Sequence, residues 1–355
     1  MLWKRFTIAE NNRHNRMAIT LAEVAARAGV SLATASRSLN GSTRGVAEHL
    51  RARVLAAAHE LGYVPNAHAQ ALARSSNSLV GVIIHDVSDS YFSEITRGIL
   101  QVASSADRLV TFCNSYRDPA REMEYVRLLH AQRVAALIMA GSGLDDRAYS
   151  QAMAAQIASF TAAGGRVAFI GRHNILGDAV VPDNVGGARA VGRLLAELGH
   201  RRIGVIGGPP LVTTSRDRLE GFRSGLRDYE IMLAPAQIAA GDFTRDSGTR
   251  AAIELIERDP ALTAIFALND PMAVGALTAL RERGIAVPDQ ISVVGFDDIP
   301  LASDVSPALT TVRVPMIEMG ARAMTLALEP SDAELRVEHL PTKVIIRASS
   351  GRIAN

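Results

Sequence analysis

The residues best placed to do chemistry in the first part of the chain are Leu32, Ala33, Thr34, Ser36 and Arg37. They fall between a turn, Gly29-Val30-Ser31, and Leu39. Ala35 and Leu39 take the inward positions of a short helix, which leaves the other five to an outside partner. An arginine in such a row can donate two parallel hydrogen bonds to guanine, a pairing that discriminates by about 1–3 kcal/mol. Arg37 is the candidate for that contact, with a phosphate contact as the alternative. Leu32 and Ala33 have no side-chain hydrogen bonds to offer and suit thymine methyls or DNA shape. Thr34, Ser36 and Asn40 suit phosphate oxygens, which position a protein without reading sequence.

The elements that present these residues follow from spacing. Leu21, Val24, Ala25 and Ala28 share one face at helical period. Gly29 can adopt the backbone that stops a helix, Val30 plugs the corner, and Ser31 caps the next helix. Two short helices around a tight turn form a helix-turn-helix, whose second helix fits a DNA major groove. A third helix is expected at about 47–61, with Leu50, Val54, Leu55, Ala58 and Leu61 as its apolar stripe and Gly62 at its end. Pro65 blocks continuation and Asn66 caps a further helix of about two turns, too short to be stable alone in water. The segment 75–78, Ser-Ser-Asn-Ser, reads as a linker. The 17 or so residues before the first helix lack useful periodicity and are expected to form a disordered arm; whether translation starts at Met1 or Met17 stays open.

Charge supports this division. Residues 1–78 hold ten Lys/Arg against four Glu, so the rest of the 355-residue chain is net negative, the total being +2. A basic block on a mildly acidic body suits a nucleic-acid module joined to another kind of module. The one cysteine, Cys113, permits no intrachain disulfide, which fits a reducing compartment. No apolar run approaches the roughly 18 residues of a membrane span, and residues 1–18 lack the apolar middle of a secretory signal. A cytoplasmic protein with no membrane partner is expected.

From Leu79 the pattern alternates. Strands are expected at 79–84, 108–113, 135–139, 166–170, 202–206, 263–267 and 291–295, with amphipathic helices between them. Strand-helix repetition implies parallel sheets with right-handed crossovers. So many strands suit two doubly wound subdomains, with a ligand cleft at the carboxyl ends of their strands. Phe92 with Tyr91, and Phe243, could wall such a cleft; core packing is the alternative. Arg172, at a strand end, could reach a carboxylate or hydroxyl, and Asn269 offers a donor and an acceptor. Enzyme motifs are weak. Residues 204–208, Gly-Val-Ile-Gly-Gly, lack dinucleotide spacing and run into Pro209-Pro210. Residues 141–143, Gly-Ser-Gly, are not a nucleophile elbow. No histidine pair has metal-ligand spacing on one helix, and His85, His173 and His200 read as surface or capping residues.

Several separated motifs then point one way. They are Thr-Leu-Ala-Glu-Val-Ala at 20–25, Ala-Gly-Val-Ser at 28–31, Thr-Ala-Ser-Arg at 34–37 and Asn40-Gly41. The link reads Glu-Leu-Gly-Tyr-Val-Pro-Asn at 60–66. The body has Gly-His-Arg-Arg-Ile at 199–203, Arg-Leu-Glu-Gly-Phe at 218–222, Asn269-Asp270, Gly-Phe-Asp-Asp at 295–298 and Pro-Ala-Leu-Thr-Thr at 307–311. Over residues 19–350 the chain resembles the lactose/galactose repressor (LacI/GalR) family. Ala35 replaces a more usual valine, and Ala135-Ala136 stands where the family usually has Asp-Gly.

The resemblance implies a small all-α helix-turn-helix DNA-binding head plus an α/β, periplasmic-binding-protein-like body of two doubly wound parallel-sheet subdomains. Its divisions are an arm at 1–18, the head at 19–64, a hinge helix and linker at 65–78, and the body at 79–350. One subdomain takes about 79–178 and 313–333, the other about 179–312 and 334–350. It further implies a homodimer on palindromic operator DNA, a sequence-specific regulator, a repressor, switched by a small-molecule effector. The effector is a sugar, a sugar acid or, less favoured, a nucleobase. No cofactor, metal or catalysis is implied; the rival reading is a sugar-binding or sugar-modifying protein with an accessory DNA-binding head. Thr20, Asn66 and Ala69 match DNA-contacting positions, and Leu72 matches a wedge leucine that kinks the operator. Arg218 and Asp297 match effector-contacting positions.

Overall fold

The computed structural model describes residues 19–39, 46–63, 78–330 and 334–353. The chain divides into two compact units, residues 1–77 and 78–355. The expected arm at 1–18, the loop at 41–45, the hinge helix and the candidates Asn40, Asn66, Ala69 and Leu72 lie outside the described residues.

The first unit contains α1 (Leu21–Ala28), α2 (Leu32–Leu39) and α3 (Glu48–Leu61). Thr20 and Glu23 form a reciprocal capping box at the start of α1. Gly29, at φ 61°, ends α1, and its neighbour Val30 donates back to Ala25 O at 3.0 Å. Ser31 Oγ accepts from Thr34 N at 3.1 Å and so caps α2. Val24, Ala25, Ala28, Ala35, Val54, Ala57 and Ala58 are the buried core, ringed by Leu21, Val30, Leu39 and Leu61. Leu55, expected in the stripe, is instead 47% exposed. The buried set of α3 runs 54, 57, 58, with Leu61 packed beside it, an i, i+3, i+4, i+7 row that turns residue 55 outward.

The second unit starts with β1 (Leu79–Ile84), α4 (Ser90–Ser105), β2 (Leu109–Asn114), α5 (Pro119–Ala131), β3 (Ala136–Ala140), α6 (Arg147–Ala162), β4 (Arg166–Ile170) and β5 (Asp178–Pro182). It continues with α7 (Asn184–Glu197), β6 (Ile203–Ile206), α8 (Thr213–Arg227), β7 (Ile238–Ala239), α9 (Arg245–Arg258), β8 (Ala264–Ala267), α10 (Asp270–Glu282) and β9 (Ser292–Val294). It ends with α11 (Leu301–Asp304), β10 (Thr311–Arg313), α12 (Met316–Leu328), β11 (Val337–Leu340) and β12 (Lys343–Ile345).

One sheet has the order β11-β5-β4-β3-β1-β2 and another β7-β6-β8-β9, with every pairing parallel. β10 and β12 form a separate antiparallel pair. All seven expected strands are present to within a residue or so at either end, and β5, β7, β10, β11 and β12 are additional. The subdomain boundaries need correction. β5 and β11 both belong to the first sheet, so residues 179–182 and 337–340 lie in the first subdomain and not, as expected, in the second. Asp178 gives the physical reason. This buried carboxylate opens β5 and accepts from Arg336 N at 2.9 Å and Arg336 Nε at 3.0 Å, a long-range pairing that holds β11 beside β5. The chain therefore passes between the subdomains three times, after β5, after β10 and after β11.

Glycines set the helix packing within each subdomain. A Cβ on Gly98 of α4 would lie 1.9 Å from Ile317 O of α12, and one on Gly320 would lie 2.0 Å from Ile95 O. Gly248 of α9 and Gly275 of α10 have the same reciprocal relation, at 2.2 Å from Met272 O and 2.1 Å from Arg245 O. Backbone meets backbone at these crossings, which no side chain allows. Among the described residues no helix is long and apolar enough to cross a membrane.

Candidate ligand cleft and DNA-binding face

The carboxyl ends of both parallel sheets face a common cleft. It holds a small inner cavity of about 50 Å3 and an outer one of about 290 Å3. Phe92, from the start of α4, and Phe243, from the loop after β7, both line the inner cavity. The wall role expected for these two rings therefore has a place in the geometry. Tyr91 does not line either cavity; it packs edge-on against Phe92, with ring centroids 5.1 Å apart. Burial pushes its phenol well above the usual range.

The other cleft candidates are engaged with the protein itself. Arg218 is buried and donates from Nε to Asn184 Oδ1 at 2.9 Å, from Nη1 to Leu268 O at 2.6 Å and from Nη2 to Asp297 Oδ1 at 2.7 Å. Its guanidinium also lies 3.9 Å from the centroid of Phe296. Asn269 caps α10, accepting from Met272 N at 3.0 Å and donating to Phe243 O at 2.9 Å, so it fixes the Phe243 loop. Arg172 makes a two-pronged pair with Asp217, at 2.9 and 2.6 Å. Of the seven cleft candidates, only Phe92 and Phe243 line these cavities.

Burial lifts the Asp297 carboxyl to about 6, against the opposing pull of Arg218. Asp270, fully buried, is raised well above the usual carboxylate range by burial and by the nearby Asp297. It accepts from Ile299 N at 2.9 Å and Thr311 Oγ1 at 2.5 Å. These two acids, with Arg218, form the floor that ties α8, α10 and the end of β9 together.

Sequence reasoning missed His85, Arg117, Glu122 and His173, all of which line the inner cavity. The two histidines read as surface or capping residues are thus corrected; His200 is buried between Thr263 Oγ1 at 3.0 Å and Gly351 O at 3.1 Å. A signal was available, since His85, Arg117 and His173 come one to three residues past the carboxyl ends of β1, β2 and β4. Glu122 accepts from Ser115 Oγ at 3.1 Å and from the Tyr149 hydroxyl, and burial raises its pKa. His85 Nδ1, His173 Nδ1 and Ser215 Oγ are among the buried polar atoms that lack a hydrogen-bond partner in the described residues. Ser215 lies beside Phe243 over Gly208, whose Cβ would meet both at 2.5 Å.

Burial lowers both His85 and His173 from 6.5 to about 4. The unfolded chain therefore takes up protons on these rings between about 6.5 and 4 while the folded chain does not. Their contribution to stability is complete above pH 6.5 and falls on acidification toward pH 4. Urea unfolding at pH 7.5 and 5 should show a smaller acid loss for His173→Gln than for the parent. Equal losses would refute the neutral buried imidazole.

In the first unit, Leu32 is 53% exposed and Ala33 and Arg37 are also exposed, while Ala35 and Ser38 face the core. Arg37 Nε donates to Ala33 O at 3.2 Å, along its own helix. Thr34 is half-buried and pairs with the Ser31 hydroxyl at 2.9 Å. Thr20 donates to Glu23 Oε2 at 2.8 Å in the capping box. Ser36 is half-buried on the same helix.

A helix-turn-helix unit followed by a body of two parallel α/β sheets defines a DNA-binding transcription regulator. Residues 20–66 match the family described as bacterial regulatory proteins, lacI family, and residues 193–350 match the periplasmic binding protein-like domain. The HTH-type transcriptional regulator GalS of Salmonella typhimurium strain LT2 is 39% identical over 319 residues, covering 90% of this chain and 92% of that protein. The lac repressor dimer bound to operator and the anti-inducer ONPF superposes with a TM-score of 0.83 at 29% identity, over 94% of this chain and 100% of that one. The complex of the transcriptional regulator CelR with cellobiose gives a TM-score of 0.70 at 30% identity, over 93% and 99%. The chain belongs to the LacI family of bacterial transcriptional regulators.

Proposed function

We propose that this regulator is a repressor that binds a palindromic operator as a homodimer and is switched by a hydroxyl-rich small molecule, a sugar or sugar derivative. The observation that carries the ligand reading is the inner cavity, where a flat ring from each subdomain, Phe92 and Phe243, faces a space also lined by His85, Arg117 and Glu122. Apolar ring faces suit the C–H surfaces of a sugar, and the polar groups suit its hydroxyls. The cellobiose bound by CelR and the operator and anti-inducer bound by the lac repressor dimer support the same reading. Arg218 and Asp297 act here through the floor: they hold the loops that carry the cavity walls. On the DNA side, Arg37 reads guanine, with Leu32 and Ala33 against thymine methyls.

A ligand can change operator affinity only by binding the two DNA-affinity states unequally. The test uses the whole chain. Thermal melting is screened against neutral sugars, sugar acids and nucleobases, and each hit is titrated into the protein bound to a palindromic duplex selected from a random library. The expected result is a stabilising sugar-class ligand that shifts duplex affinity by about 5- to 150-fold. A stabilising ligand that leaves duplex affinity unchanged would refute the switch; a nucleobase hit alone would refute the ligand class.

A further inference from the structure

The two sides of the cleft are built differently. On the side of β3 and β4 the subdomains are fastened to each other. Leu144 and Val212 form an antiparallel bridge. Asp145 N donates to Leu211 O at 2.7 Å, Thr213 N to Gly143 O at 3.0 Å and Thr213 Oγ1 to Arg172 O at 2.8 Å. The Arg172–Asp217 fork, the Arg216–Asp145 pair and the Ser142–Thr214 hydroxyl pair reinforce this clasp. It couples the ends of β3 and β4 to the start of α8.

The opposite lip lies between two edge strands, β2 of the first sheet and β7 of the second. There Arg117, three residues past β2, reaches across the cleft. Its guanidinium stands 4.8 Å from the centroid of Phe243 and donates to Asp242 O at 3.3 Å. Arg117 and Phe243 both hold left-handed backbone, at φ 56° and 73°, a conformation that costs energy for residues other than glycine. With His85, these are the residues lining both the inner and the outer cavity. They form the partition between the two.

We propose that Arg117 and Phe243 are a gate: the subdomains pivot on the clasp side, and the Arg117–Phe243 contact opens and closes the passage from the outer vestibule to the inner cavity. A rotation about the clasp moves the far lip most, and the contact there is one stacked ring and one hydrogen bond, each weak enough to break repeatedly. The clasp combines a backbone bridge with two charged pairs and stays shut. The gate can be tested without any ligand, so its failure and failure of the ligand reading are separable.

Ala140, the last residue of β3, lines the inner cavity and is 6% exposed. A reporter thiol is placed there as Ala140→Cys in a Cys113→Ser chain, and its reaction with iodoacetamide is timed. Adding Arg117→Ala should speed labelling by about tenfold, the effect of losing the stack and the hydrogen bond. Arg121→Ala, whose guanidinium lies over the exposed Tyr116 instead, should leave the rate unchanged. Arg117→Met, which keeps bulk at the lip, serves if the alanine variant does not melt cooperatively, and should label faster than the parent. A rate unchanged or slowed by removing Arg117, or speeded equally by Arg121→Ala, would overturn the gate.

Discussion

Replacing Arg218 with methionine is expected to lower the unfolding free energy of the body by about 3–5 kcal/mol at pH 8, the usual cost of leaving a buried charge without its partner. Arg218 is 3% exposed and satisfies three acceptors at once, the Asp297 carboxylate, Leu268 O and Asn184 Oδ1. Methionine fills similar space and satisfies none of them. Asp297 would then lose the one cation paired with it among the described residues, and its pKa should climb further above about 6. The sign of the pH effect follows. A protonated Asp297 needs no counter-charge, so the loss should be smaller at pH 5 than at pH 8. Urea unfolding of parent, Arg218→Met and the double variant Arg218→Met/Asp297→Asn at both pH values measures this. The double variant should recover part of the loss at pH 8. A single variant as stable as the parent at pH 8 would show that the pair does not hold the floor of the cleft.

Gly98→Val is expected to cost about 3 kcal/mol or more, the upper end for overpacking. The added Cβ would lie 1.9 Å from Ile317 O and 2.9 Å from Ala321 N, both backbone atoms. Neither can move aside without separating α4 from α12, and α12 also packs on β3, β4 and β5. Leu100→Ala on the same helix is the control. Leu100 is 44% exposed, so its truncation should stay within about 0.5 kcal/mol. The check is the midpoint of urea unfolding for the two variants. Similar midpoints would mean that the helices re-seat without penalty.

The features that proved legible in the sequence are those whose cause is local. Gly29, Ser31 and the 21, 24, 25, 28 spacing specify the helix-turn-helix through backbone conformation and capping, and each residue has the local role its type suggests. Apolar runs such as Val80–Ile84 in β1 announce buried parallel strands, because both faces are covered by helices. The unrecognised strands depend on distant chain. β5 opens on a charged residue whose partner, Arg336, stands 158 positions later. The site was harder for the same reason. Arg172 reads as a free cation until Asp217 arrives from the other subdomain, and Asn269 reads as a ligand contact until its two bonds to Met272 and Phe243 are seen. His85 and Arg117 carry no motif; only their position past strand ends marks them.

The triple passage of the chain between its two halves has a consequence for how the protein is made. Synthesis proceeds from the amino terminus, and β1 to β5 emerge early. The strand that completes their sheet, β11, is made only at residues 337–340, and the helix that covers it, α12, at 316–328. Until then β5 presents an open edge of unpaired backbone groups, the kind of surface on which chains pair with one another. The first half of the body to leave the ribosome is therefore among the last to finish folding. A message cut short before codon 337 would yield a chain whose first sheet has no final strand, whereas the helix-turn-helix, made first and closed on itself, would be complete.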